Sequence, residues 1–104
     1  MSFFGRMFGG GMDDVNYKEL VQNGAVLIDV RTPDEFGQGH VENAINIPLQ
    51  VIGNEIEKIK AFNKPVIVYC LSGGRAGSAK SFLEGQGLEV YNGGGVQAMA
   101  AALN

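Results

Sequence analysis

With 104 residues the chain has room for one compact domain, and 45% hydrophobic against 18% charged residues excludes wholesale disorder. A formal net charge of −3 leaves no general basic footprint for nucleic acid or an anionic membrane surface, so any anion site must be local. The single cysteine excludes an intramolecular disulfide and leaves a lone thiol that is either a buried apolar residue or a reactive one.

The first eleven residues, MSFFGRMFGGG, are apolar but interrupted by Gly5, Arg6 and the run Gly9, Gly10, Gly11. They hold no continuous apolar run of the ~7 to 15 residues that a signal peptide needs, and a cytoplasmic location is the default expectation. No stretch of about 18 apolar residues marks a transmembrane helix. The expected organisation is a leader over 1–11 and a single domain over 12–104. A sharper reading makes Phe3, Phe4, Met7 and Phe8 an apolar docking patch.

A first short strand near Met12 is weakly marked. Asp14 is a candidate cap for a helix from about Asn16 to Gln22, with Tyr17, Leu20 and Val21 on one face. Val26, Leu27 and Ile28 read as a buried strand ending at Asp29. Thr32, followed by Pro33 and three residues on by Glu35, has the pattern of a capping box with proline in the first turn and predicts a short helix ending by Gly39. Ala44 to Ile47, closed by Pro48, is a weaker strand. Leu49, Ile52, Ile56 and Ile59 recur at steps of three and four and predict one helix over Leu49 to Phe62 in spite of Gly53. Val66 to Tyr69, entered through Pro65, is a second strong strand that ends at Cys70. A helix follows over Ala76 to Gly85 with Ala79, Phe82 and Leu83 inward, then a strand over Leu88 to Tyr91 closed by Asn92 and three glycines, then a last helix over Val96 to Leu103. Short apolar runs alternating with amphipathic stretches predict an α/β fold with a parallel sheet and crossover helices.

The chemistry concentrates in Val66-Ile-Val-Tyr-Cys-Leu-Ser-Gly-Gly-Arg-Ala-Gly. A strand runs into Cys70, then a short glycine-containing loop, then a helix, and ligands bind at the carboxyl ends of parallel strands. Gly73 and Gly74 let successive backbone N–H groups turn inward as an anion nest, and the first turn of the next helix adds unpaired N–H groups and its positive dipole end. A thiol held there is expected to be largely thiolate near neutral pH. The predicted arrangement places the Cys70 sulfur before the backbone N–H groups of Leu71 to Ala76. Arg75 either pairs with a surface carboxylate or serves the loop, by shaping it or holding an anionic donor. Ser72 is a turn former or a hydroxyl donor to the sulfur. Asp29 is a possible base, but Asp29 and Arg31 read better as a structural pair that orients the site, since buried charges persist when paired. One cysteine and one histidine make no metal site credible, and no cofactor is implied.

This segment resembles the rhodanese homology domain, whose catalytic cysteine opens a six-residue loop ending in arginine, matched here by Cys70, Leu71, Ser72, Gly73, Gly74 and Arg75. Leu27-Ile-Asp-Val-Arg31 with Glu35 and Phe36, Gly39-His-Val with Ala44-Ile-Asn-Ile-Pro48, and Tyr91-Asn-Gly-Gly with Gly95 are similar to further blocks of that family. The resemblance covers about residues 13 to 104. It implies a doubly wound five-stranded parallel sheet with helices on both faces. The implied activity is that of a sulfurtransferase, in which Cys70 takes a sulfane sulfur from thiosulfate or a persulfide donor. A thiol, cyanide or protein acceptor then removes it. By the same resemblance His40 is structural. Two departures stand out: Leu71 replaces the basic residue common after the cysteine in members active on thiosulfate, and Asn43 replaces a glycine at a turn where the left-handed conformation is expected.

Two other functions compete. Cysteine-dependent phosphatases also join a cysteine, an anion-cradling loop and an arginine, but they have five residues between cysteine and arginine, where this chain has four. A non-enzymatic docking, sensing or sulfur-carrier module is the other.

Overall fold

The computed structural model describes residues 15–104, and the leader, the docking patch, the strand expected near Met12 and the cap expected at Asp14 lie outside them. Helix α1 spans Tyr17–Gln22 and is capped by the Asn16 side chain, which accepts from the Glu19 N–H. Strand β1 (Val26–Asp29) leads to helix α2 (Pro33–Gly37), where the Thr32 and Glu35 capping box forms as the sequence predicts. Strand β2 (Ile45–Asn46) is followed by a 3-10 helix over Leu49–Glu55 and helix α3 over Ile56–Phe62. Strand β3 (Val66–Cys70), helix α4 (Gly74–Gly85), strand β4 (Val90–Gly95) and helix α5 (Val96–Leu103) complete the order.

The strands pair in parallel in the order β2-β1-β3-β4, giving four strands among the described residues where the family resemblance implies five. Helices cover both faces. Because side chains alternate along a strand, Val66, Val68 and Cys70 of β3 face a core with Ile28, Ile59, Ala76, Ala79 and Leu83, while Ile67 and Tyr69 face a second core with Tyr17, Leu27 and Met99. All five residues of β3 are buried, as the two-sided burial of a central parallel strand requires. This alternation turns Cys70 toward α4 and away from α5.

Three expectations need correction. The single helix over Leu49 to Phe62 divides, since the step of three from Leu49 to Ile52 suits 3-10 geometry, and only Ile56 onward is α-helical. Strand β4 starts at Val90 and continues through the glycines to Gly95, because pairing of Val68 with Asn92 and of Cys70 with Gly95 across an irregularity holds them in the sheet. Phe82 is 41% exposed. The inward face of α4 is Ala76, Ala79 and Leu83, and Phe82 lies instead over Gly53. Asn43 adopts φ 72°, the left-handed turn conformation expected of it.

Candidate active site

Cys70 is the last residue of β3 and is only 1% exposed. Its Sγ accepts hydrogen bonds from the backbone N–H of Gly73 at 3.0 Å and of Ala76 at 3.3 Å. Ala76 is the third residue of α4, a helix that has no side-chain cap from its own N-cap residue, Gly73. The sulfur therefore stands where a capping oxygen would, taking a donor that every helix start leaves unpaired. Gly73 makes this geometry possible: its φ of 104° lies in the left-handed region, where any side chain would be strained. Gly95 is needed for a different reason, since a Cβ there would overlap the Leu71 carbonyl oxygen.

Burial by itself would raise the Cys70 pKa, but the N–H groups of Ala76, Ser72, Gly73 and Arg75 outweigh it and hold the thiol below its ordinary range. The donors are backbone groups. The Ser72 hydroxyl makes no hydrogen bond to the sulfur, and Ser72 is exposed as a turn residue. Leu71 is 59% exposed at the rim beside Cys70.

Arg75 turns its guanidinium onto Glu35, with Nη1 to Oε1 at 2.8 Å and Nη2 to Oε2 at 3.0 Å. The same carboxylate accepts from the Thr32 N–H at 3.0 Å and from the Thr32 hydroxyl at 3.2 Å. The capping box of α2 is thereby tied to the loop after Cys70, a connection across 40 residues that the Thr-x-x-Glu spacing could not reveal. Arg75 thus makes the pairing with a partly exposed carboxylate that is the first of its two expected readings, and the contact is two-pronged.

The Arg75 fork first, then the Thr32 N–H, lowers the Glu35 pKa from 4.5 to about 2. A depressed carboxylate contributes stability that is fully present above its unfolded pKa and is lost as pH falls through the folded one. The difference in urea midpoint between wild type and Glu35→Gln is therefore expected to hold steady above about pH 4.5 and to close toward pH 2. A difference that does not depend on pH over this interval would contradict the assignment.

Asp29 and Arg31 pair with one another, as expected. The Asp29 carboxylate accepts from the Arg31 backbone N–H at 2.9 Å, from Nε at 3.0 Å and from Nη2 at 2.7 Å. Arg31 Nη2 also donates to the Gly39 carbonyl at 2.7 Å, and the guanidinium lies 5.9 Å from the Tyr69 ring centroid. Burial pushes the Tyr69 hydroxyl up to about 12, and it accepts from the Val41 N–H at 3.0 Å. The His40 ring stacks on Phe36 with centroids 3.6 Å apart, and Nδ1 donates to the Phe36 carbonyl at 2.9 Å.

A family model described as Rhodanese-like domain matches residues 14–102. The thiosulfate sulfurtransferase PspE of Escherichia coli strain K12 is 41% identical over 75 residues, which is 70% of this chain and 72% of that protein. The uncharacterized protein YqhL of Bacillus subtilis is 44% identical over 69 residues, 65% of this chain, and the match spans about half of its length, 54%. Among solved structures, a rhodanese with anions from E. coli has a TM-score of 0.68 at 39% identity, covering 74% of this chain and 93% of that one. The reduced CoADR-RHD of Bacillus anthracis has a TM-score of 0.71 at 33% identity, covering 82% of this chain and 15% of that longer one. No helix among the described residues is long and apolar enough to cross a membrane.

Proposed function

This chain belongs to the rhodanese-like family, and from that premise we propose that it is a sulfurtransferase in which Cys70 carries the sulfur as a persulfide. The observation that carries the reading is the Cys70 sulfur held at the carboxyl end of β3 by the Gly73 and Ala76 N–H groups. In the first half-reaction the thiolate attacks the outer sulfur of the donor. A new S–S bond forms as the donor's own S–S bond breaks, and the electron pair leaves with sulfite from thiosulfate or with a thiolate from a persulfide. In the second, a thiol or cyanide attacks the outer sulfur of the persulfide and Cys70 departs as thiolate. Backbone N–H groups suit both stages, because they stabilise a negative sulfur without reacting with it. The four residues between Cys70 and Arg75 make a small ring, which favours a sulfur atom over the phosphoryl group of the phosphatase reading.

Mass spectrometry after exposure to thiosulfate, and separately to a persulfide, tests this. A Cys70 peptide heavier by one sulfur atom is the expected product. Its absence with both donors would leave the docking or sensing module as the better reading.

Donor preference follows from the rim. Arg75 is engaged by Glu35 and Leu71 brings no charge, so thiosulfate meets little positive potential beside the sulfur. Leu71→Arg is expected to lower the Michaelis constant for thiosulfate about tenfold. That corresponds to a hydrogen bond to a charged group, of order 1.5 to 3 kcal/mol, reduced by exposure. The turnover number should change less, since the added contact holds donor and transition state alike. Steady-state kinetics decide it, and an unchanged constant would show that the loop binds thiosulfate without a second cation.

A further inference from the structure

The Gly73 N–H reaches the sulfur only while Gly73 keeps its left-handed conformation, and the side chain that holds Gly73 comes from another strand. Asn92 of β4 donates from Nδ2 to the Gly73 carbonyl at 3.2 Å and accepts from the Gly94 N–H through Oδ1 at 2.8 Å. Its own backbone carbonyl accepts from the Tyr17 hydroxyl at 3.0 Å, a main-chain contact that does not involve the amide. Gly73 and Gly94 are neighbours: a Cβ on Gly73 would lie in ordinary contact with the Gly94 Cα, at 3.5 Å. One amide thus joins the two glycine segments that meet over Cys70.

We propose that Asn92 is a positioning residue for Cys70, clamping Gly73 from β4 so that its N–H stays aimed at the sulfur. The Gly73 carbonyl also accepts from the Gly77 N–H at 2.9 Å inside α4. That bond orients the carbonyl along the helix, and the Asn92 amide adds the lateral contact that keeps the loop from swinging away from β4. Loss of the amide frees Gly73, whose missing side chain gives it more alternative conformations than any other residue. The charged side chains Arg75 with Glu35, and Asp29 with Arg31, are paired among themselves and are not touched by the substitution. The inference rests on Cys70 being the reacting thiol.

The test is the pH dependence of Cys70 alkylation by iodoacetamide in the full chain, which reports thiolate without any sulfur donor. Asn92→Ala is expected to raise the midpoint by about half a pH unit to one, a roughly three- to tenfold loss of thiolate below the midpoint. Asn92→Asp should raise it further, because a carboxylate can still accept from Gly94 but cannot donate to Gly73 and adds a negative charge. Tyr17→Phe, which removes only the bond to the Asn92 backbone, should lower the melting temperature and leave the midpoint in place. Asn92→Ser, which retains a hydroxyl acceptor near Gly94 but is too short to reach Gly73, replaces Asn92→Ala should the latter not fold and should give the same shift. A wild-type midpoint below the ordinary thiol range that no Asn92 variant moves would overturn the positioning role alone. A wild-type midpoint in the ordinary range would overturn it together with the thiolate cradle. A shift as expected in a protein that forms no persulfide would uphold the clamp and refute the sulfurtransferase reading.

Discussion

Cys70→Ser is expected to abolish sulfur transfer, with the rate falling by at least about three orders of magnitude to the uncatalysed background. A serine oxygen cannot form the persulfide on which both proposed half-reactions depend. The fold should survive. The Gly73 and Ala76 N–H groups donate to the Cys70 sulfur, and a serine oxygen can still accept from them, so the stability change should stay within about 1 kcal/mol. Cys70→Ala separates the two functions of the atom. It removes the acceptor altogether, leaves the Gly73 and Ala76 N–H groups without a partner, and should cost about 1 to 2 kcal/mol. Thiocyanate release from thiosulfate and cyanide measures the first effect, and urea unfolding the second. Transfer above background in Cys70→Ser would remove the thiol from the mechanism. The wild-type reaction should also follow ping-pong kinetics, since the first product leaves before the acceptor arrives.

The largest loss of stability is expected from Asp29→Ala. Asp29 is fully buried, Arg31 is 5% exposed, and the carboxylate is the partner of both the guanidinium and the Arg31 backbone N–H. Truncation leaves a buried cation without its counter-ion, at a cost of about 3 to 5 kcal/mol, a large part of the ~5 to 15 kcal/mol that holds an ordinary domain together. Asp29→Asn keeps an acceptor for the Arg31 N–H and should cost less. Urea unfolding of the two variants gives the order. Activity measured alongside separates the structural pair from the other reading of Asp29: were it a base in the reaction, Asp29→Asn would lose transfer while remaining nearly as stable as wild type.

Much of this architecture is legible along the chain because its signals are local. The capping box needs only Thr32, Pro33 and Glu35 in their spacing, the central strand only an apolar run rich in β-branched residues between Pro65 and Cys70, and the last helix only a stretch free of glycine between Gly95 and Asn104. The cradle too can be anticipated as a ring of N–H groups from Leu71 to Ala76, since a strand, a glycine loop and a helix start bring them around Cys70, but which of them donate, Gly73 and Ala76, is seen only in the structure. The Asp29 and Arg31 pair, two residues apart, belongs with these.

Other features arise only where distant segments meet. Three successive glycines read as the end of a strand, yet Gly93, Gly94 and Gly95 stay in β4 because Cys70 pairs with Gly95, and Gly95 must lack a side chain to clear the Leu71 carbonyl. The spacing of Phe82 from Ala79 and Leu83 predicts an inward ring, but the helix buries its small residues against the sheet and leaves that ring over Gly53. Arg75 finds Glu35 across 40 residues and Asn92 finds Gly73 across 19. Elements and the placing of the thiol at a loop of backbone N–H groups are thus written in neighbouring residues, because hydrogen bonding within a turn and periodic burial act over a few positions. Which cation is already paired, and which amide holds the loop, is settled by long-range packing, because such contacts depend on how parallel strands bring remote segments to one edge of the sheet.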